Sequence, residues 1–204
     1  MALESIILED EYVALKPIQT EHIQGLFTAG EDPSIWQWTT ANYCQTLALS
    51  KNWVEYCLEN ARLNLQLPFV IVDKTQDKIV GSTSYLNISL EHKSIEIGFT
   101  FLAPSAQRSH INRRCKLLLL SHAFETLQLN RVAFQTHEKN QRSRTAILGI
   151  GATFEGIHRD CRIQKDGSIR SSAIFSIIKP EWPQVKSKLL AKLTTPTILN
   201  TTDE

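Results

Sequence analysis

The chain has 204 residues, 42% hydrophobic and 21% charged, which suffices for one sizeable core and is short for two. Its 22 basic and 21 acidic residues leave a net charge of +1, so the molecule as a whole is not built to attract nucleic acid and any electrostatic recognition must be local. No pure apolar run is longer than Leu117 to Leu120, which argues against a membrane span, and the opening MALESIILEDEYV carries no basic-then-apolar secretion pattern.

A strand is expected over Tyr12 to Lys16, ended by Pro17. Thr20 can cap a short helix over His22 to Ala29, with Gly30 at its end. Asp32 to Thr40 reads as irregular and carries two tryptophans, Trp36 and Trp38. A second helix is expected over Lys51 to Leu63, where Trp53, Val54, Cys57, Leu58 and Ala61 share a face. Pro68 to Asp73, Lys78 to Ser89 and Ser94 to Leu102 read as three strands of an antiparallel meander.

A helix from Arg113 to Leu127, a strand over Arg131 to His137 and a short helix over Arg142 to Ile150 follow, the last stopped by Gly151. Thr153 to Gln164 and Ile169 to Ile178 form a hairpin around the turn Lys165 to Gly167. A last helix is expected over Glu181 to Leu193. The layout is α+β, with helices packed on a mostly antiparallel sheet. It forms a single domain over residues 1–194, with 195–204 a flexible C-terminal tail. Cys44, Cys57, Cys115 and Cys161 show no metal-type spacing and read as reduced core thiols of a cytoplasmic protein. The histidines show no ligand spacing, so no metal is expected.

One segment carries a local charge imbalance. No acidic residue lies between Glu96 and Glu125, while Arg108, Arg113, Arg114 and Lys116 all do. Cations at a helix start oppose its dipole. With Asn112 as cap, the loop Gln107 to Asn112 would bring several free backbone N–H groups to one point with a cationic rim, as an anion site requires. The same residues suit a solvated basic helix end. No Walker or dinucleotide glycine fingerprint is present.

The run EIGFTFLAPSAQRSHINRRCKLLLLSHAFETLQLNRVAFQTHEKNQRSRTAILGIGATFEGIHRD resembles the GCN5-related N-acetyltransferase (GNAT) superfamily. LKPIQTEHIQGL, PFVIVDK, KIVGSTSYLNI and KDGSIRSSAIFSIIKPEWPQVK are similar to its ribosomal-protein N-terminal acetyltransferase (RimJ/RimL) branch, and the resemblance spans about Val13 to Trp182. It implies a splayed mixed sheet flanked by helices, with acetyl-CoA in a V-shaped gap between Ser94–Leu102 and Arg131–His137. Pantetheine would pair with backbone at Phe101, Leu102 and Ala103. The pyrophosphate would rest on Gln107, Arg108, Ser109, His110, Ile111, Asn112 and Arg113. Asn140 would contact the pantetheine arm, and Ser143, three residues on, would face the thiol as its acid.

Three positions depart from the superfamily pattern. The usual loop glycines are replaced by His110 and Asn112, and the tyrosine acid expected seven residues after Asn140 is Ile147. Glu96, inside the apolar Ile95–Ile97 stretch beside the implied thioester, is the candidate general base, since apolar surroundings raise a carboxyl pKa. Strand alternation also allows it to be an ordinary solvent-facing Glu. Trp36, Trp38 and Tyr85 are candidate acceptor-lining residues, with core packing the alternative. The implied reaction moves an acetyl group to a primary amine, either a protein or peptide N-terminus or a small amine such as an amino acid, polyamine or antibiotic. A CoA-binding module without catalysis is the third reading. The resemblance implies a monomer or homodimer, and the near-neutral charge and short apolar runs imply no nucleic-acid or membrane partner.

Overall fold

The computed structural model describes residues 5–164 and 166–194; Lys165 of the expected hairpin turn and the expected 195–204 tail lie outside them. The layering follows from one strand, β3 (Gln66–Asp73), buried along its whole length. Successive side chains of a strand point to opposite faces. Phe69 and Ile71 therefore join one core, with Val13, Leu15 and the helices α3 (Ile111–Ser121) and α5 (Trp182–Thr194). Val70 and Val72 join the other, with Leu26 of α1 (Ile23–Ala29) and Trp53 and Val54 of α2 (Leu47–Arg62). A sheet covered on both faces needs apolar residues at both parities, which FVIV supplies.

The remaining strands are β1 (Leu8–Glu9), β2 (Val13–Pro17), β4 (Lys78–Ser89), β5 (Ser94–Leu102), β6 (Arg131–His137), β7 (Thr153–Ile163) and β8 (Ile169–Ile178). Together they form an eight-stranded sheet in the order β1-β2-β3-β4-β5-β6-β8-β7, the expected antiparallel meander with a parallel step. That step is β5 against β6, and it lasts only three residue pairs, Ser94–Arg131, Ile95–Val132 and Glu96–Ala133. Beyond it the strands diverge. β5 stays on β4 and β6 stays on β8 to its end. The facing backbone edges of the two strands, past Glu96 and past Ala133, are thus left without a ladder partner from each other.

A bulge in β5 accompanies the divergence. Between the pairs Ser84–Gly98 and Ser82–Phe101, two β5 residues oppose the single residue Thr83. Phe99 there has φ 46°, a left-handed conformation costing a bulky L-residue about 1–2 kcal/mol. Such bulges redirect side chains beside sites. The helix α4 (Gln141–Gly149) follows β6 and covers the gap from one side, anchored by Ile147 and Ile150.

The structure corrects several sequence-based boundaries. β1 has only two residues, too few to show a pattern. Thr20 opens a 3-10 turn instead of capping the first helix. α2 starts at Leu47, four residues early, because Thr46 Oγ1 accepts from the Leu49 amide. α3 starts at Ile111 and not at Arg113, so Asn112 is not its cap. Ser109 Oγ accepts from the Ile111 amide at 3.2 Å, and the Ile111 side chain is buried. After Ser121 the helix widens into a π turn over His122–Thr126. Gly30 does end α1, where a Cβ would lie 2.4 Å from Cys44 Sγ. Cys44, Cys57 and Cys115 are buried thiols as expected, but Cys161 on β7 is only half-buried. No helix among the described residues is long and apolar enough to cross a membrane.

Candidate active site

A continuous cleft opens where β5 and β6 part, and its three parts differ in chemistry. At one end lies the loop ahead of α3. Arg108 adopts φ 59° there, which turns the chain so that Gln107, Arg108, Ser109, Asn112 and Arg113 line the cleft with Arg142, Ser143 and Lys192. In the first helical turn, the amides of Ile111 and Arg114 are used by Ser109 Oγ and the His110 carbonyl. Those of Asn112 and Arg113 have no acceptor within the helix. Free amides, a helix N-terminus and Arg108, Arg113, Arg142 and Lys192 around one rim make an anion-binding end.

His110 and Ile111 do not line this end. The His110 ring packs edge-on against Tyr12 with centroids 5.4 Å apart, and Ile111 enters the core. The replacement of glycine costs no backbone strain, because His110 sits at φ −72° and ψ −18°. Gln107 spans the mouth. Its Nε2 donates to the Leu102 carbonyl at 2.9 Å, and its Oε1 accepts from Arg142 Nη1 at 2.9 Å. Ala103 N is already committed to the Val80 carbonyl. The Phe101 ring is packed against Trp36 and Trp53, leaving its backbone toward the cleft.

The middle of the cleft is narrow and mostly apolar, between Ile97, Gly98, Phe99 and Thr100 of β5 and Phe134 and Gln135 of β6. Ser143 and Lys116 reach it from α4 and α3. Asn140 caps α4, its Oδ1 accepting from the Ser143 amide at 3.0 Å. The Ser143 hydroxyl has no protein partner among the described residues. Lys116 is the group that sequence reasoning assigned to the solvated rim. It is 6% exposed, and its Nζ donates to Thr100 Oγ1 at 3.1 Å. No carboxylate lies within ion-pair distance of it among the described residues. Burial brings its pKa down to about 8.

The far end holds Glu96. The side chain is half-buried, and its Oε2 accepts from Asn87 Nδ2 at 2.7 Å. Burial raises its pKa against the opposing pull of Asn87 and the Arg162 charge. Gly98 leaves it room, since a Cβ there would come within 3.3 Å of Glu96 Oε1 and 2.7 Å of Leu86 Cδ1. Trp36 and Trp38 both line this end with Tyr43, His137, Arg162 and Arg170. Trp36 is fixed by its Nε1–H donating to the Gly30 carbonyl at 2.7 Å. Tyr85 is elsewhere. It is fully buried and its hydroxyl donates to the Leu119 carbonyl at 2.6 Å, so the side chain belongs to the core and does not reach the cleft.

His137 is a second titratable group at this end, and geometry removes it as a base. Its Nδ1 accepts from the Lys139 amide at 3.1 Å, so the neutral ring carries its proton on Nε2. Burial and neighbouring Arg170 keep the ring neutral. Glu96 is therefore the group in this end able to take a proton from an amine. Among the described residues, no cluster of three His, Cys, Asp or Glu side chains is placed to hold a metal ion.

The cleft thus joins a cationic helix start, a slot with one-sided backbone edges and a half-buried carboxylate. The model of the acetyltransferase (GNAT) domain matches residues 13–153. A Bacillus subtilis protein named "Putative ribosomal N-acetyltransferase YdaF" is 31% identical over 104 residues, which are 51% of this chain and 56% of that protein, so the match spans little more than half the relative's length. A GCN5-related N-acetyltransferase from Brucella melitensis superposes with TM-score 0.88 at 28% identity, covering 96% of this chain and 88% of that one. A Mycobacterium smegmatis RimJ in complex with CoA-disulfide superposes with TM-score 0.75 at 23% identity over 88% of each chain, a likeness of fold.

Proposed function

The chain belongs to the GNAT acetyltransferase domain family, and on that premise we propose that it transfers an acetyl group from acetyl-CoA to a primary amine, by direct attack in a ternary complex. The acceptor is a protein or peptide N-terminal amine, or a small amine that presents its nitrogen in the same way. The observation that carries this reading is the position of Glu96: it is the last β5 residue paired to β6, so the strands open directly beside a carboxyl that burial keeps basic.

The residues fit the co-substrate. Pyrophosphate is received by the amides of Asn112 and Arg113 under the charges of Arg108, Arg113 and Arg142, and the pantetheine arm runs along the unpaired edge of β5 beside Asn140. A thioester carbonyl lying on that edge accepts from a β5 amide, which polarises it. Glu96 takes a proton from the acceptor ammonium, directly or through a water. The free amine nitrogen forms a bond to the carbonyl carbon, the C–S bond breaks, and the electron pair leaves on sulfur. Ser143, with its hydroxyl uncommitted, hydrogen-bonds that sulfur and relays to it the second proton that the nitrogen sheds on becoming an amide, while buried Lys116 in the same part of the cleft favours the negative charge.

Glu96→Gln tests the assignment. The expected result is a loss of kcat of about a hundredfold or more, with acetyl-CoA affinity, read from the ligand-induced rise in melting temperature, unchanged. Full rate in the variant between pH 6 and 9, a range of roughly neutral working pH, refutes the base role. Melting protection without release of free thiol on any peptide or small amine supports the non-catalytic reading instead.

A further inference from the structure

The acceptor end of the cleft carries more positive charge than the reaction uses. Its lining includes one carboxylate, Glu96, already engaged by Asn87, and two guanidinium groups, Arg162 and Arg170. Neither arginine makes an ion pair with a carboxylate among the described residues. Arg170 is half-buried, and its Nη1 donates to the Trp38 carbonyl at 3.0 Å and its Nη2 to Ser172 Oγ at 3.4 Å. Its Nε is buried with no hydrogen-bond partner among the described residues. Burial disfavours its charge, and a second cation, Arg162, opposes it further. A sequestered charge without a counterion is costly, and two like charges at one wall compound the cost. The cost is relieved when the pocket receives an anion.

On the acetyl-transfer reading above, we propose that the acceptor carries a carboxylate close to its reactive amine, and that Arg162 and Arg170 bind that carboxylate while the amine faces Glu96. The arrangement is a zwitterion reader: one carboxylate for the ammonium, a pair of guanidiniums for the acid. Guanidinium forks hold carboxylates in two parallel hydrogen bonds, which fixes orientation as well as affinity. The Trp38 carbonyl holds Arg170 across 132 residues of chain, so the irregular tryptophan segment and the β7–β8 hairpin are joined at the point of recognition. Polyamines and aminoglycosides, polycations without an acid, meet two arginines and are disfavoured.

The test is a thiol-release assay of the purified chain on matched acceptors: short peptides with Asp or Glu at the second position against the Asn or Gln isosteres, amino acids against their amides, O-phosphoethanolamine as the phosphate arm, and spermidine. The expected result is a preference for the carboxylate member of each pair of about tenfold or more in kcat/KM, carried mainly by KM. Arg162→Gln and Arg170→Gln each reduce that ratio toward one. Arg162 lies on the exposed strand β7, so its variant keeps the test valid if Arg170→Gln fails to fold. Equal rates on acids and amides, spermidine as the best acceptor, O-phosphoethanolamine favoured over the carboxylates, or a preference that survives both variants overturns the proposal. Absence of turnover on every amine overturns the acetyl-transfer reading itself, a distinguishable failure.

Discussion

Replacing Lys116 with Met removes a buried ammonium while keeping an unbranched side chain of similar length. In the folded chain burial lowers this lysine from 10.5 to about 8. At pH 7 the protonated form is present in both the folded and unfolded chains, but it is held in the folded one at a cost of about 3 kcal/mol, at about 1.4 kcal/mol per tenfold. The sign follows from proton counting. Between pH 8 and 10.5 the unfolded chain binds the proton and the folded chain has released it, so wild-type stability gains from rising pH in that window. Lys116→Met lacks this dependence. The variant is expected to be more stable than wild type at pH 7 by about 3 kcal/mol, roughly 6–12 °C in melting temperature for a chain of this size. The difference should shrink steadily as pH approaches 10. Denaturant titrations of both proteins at pH 7, 8, 9 and 10 measure it. A gap that stays level across that range, or a variant less stable than wild type at pH 7, refutes the reasoning. The same variant is expected to lose kcat, because a cation that costs stability is retained where a thiolate must leave.

Two further outcomes follow from the same structure. Asp10 joins the β1–β2 turn to α3: its Oδ2 accepts from Arg114 Nη1 at 2.7 Å, and its Oδ1 accepts from the Tyr12 and Val13 amides at 2.8 Å. Burial pushes its pKa up, but the Arg114 and amide hydrogen bonds outweigh this and leave it below 3.8, so its contribution is present above that value and is lost as pH falls through the lower folded one. Asp10→Asn should destabilise by about 1–3 kcal/mol at pH 7 in urea unfolding, a difference that fades in acid; an unchanged midpoint counts against the linkage. Arg113→Glu places a like charge at the anion end and should weaken CoA binding by about tenfold or more in calorimetry, with wild-type affinity falling as salt rises; affinity unaffected by both changes would remove the pyrophosphate from this loop.

The sheet was legible where a strand is long and its burial simple. PFVIVD and SIEIGFTFL declare themselves by apolar content, and the meander follows from their spacing. Helix starts were less legible, because Thr46 and Ser109 set them through single hydrogen bonds that several other residues nearby could equally have made. The anion end was readable from the acid-free stretch between Glu96 and Glu125, but the share of each cation was not. Lys116 looks like its neighbours in RRCKLLLL, and only the turn of α3 against the open β5–β6 edge buries it while Arg113 stays at the rim. Arg162 and Arg170 sit in a hairpin far along the chain from Trp38, and no local pattern places them in the cleft. Tyr85 shows the opposite failure: paired with Ile97 of β5, it points to the sheet face opposite Glu96, where the Leu119 carbonyl and the ring of Phe69 enclose it.

The most direct test of the account is a crystal structure of the chain with CoA. The expected density puts the diphosphate within hydrogen-bond reach of the Asn112 and Arg113 amides, the pantetheine along β5 past Asn140, and the sulfur between Ser143 and Glu96. CoA bound outside the β5–β6 opening, or a diphosphate distant from the start of α3 in a fully occupied complex, would contradict it.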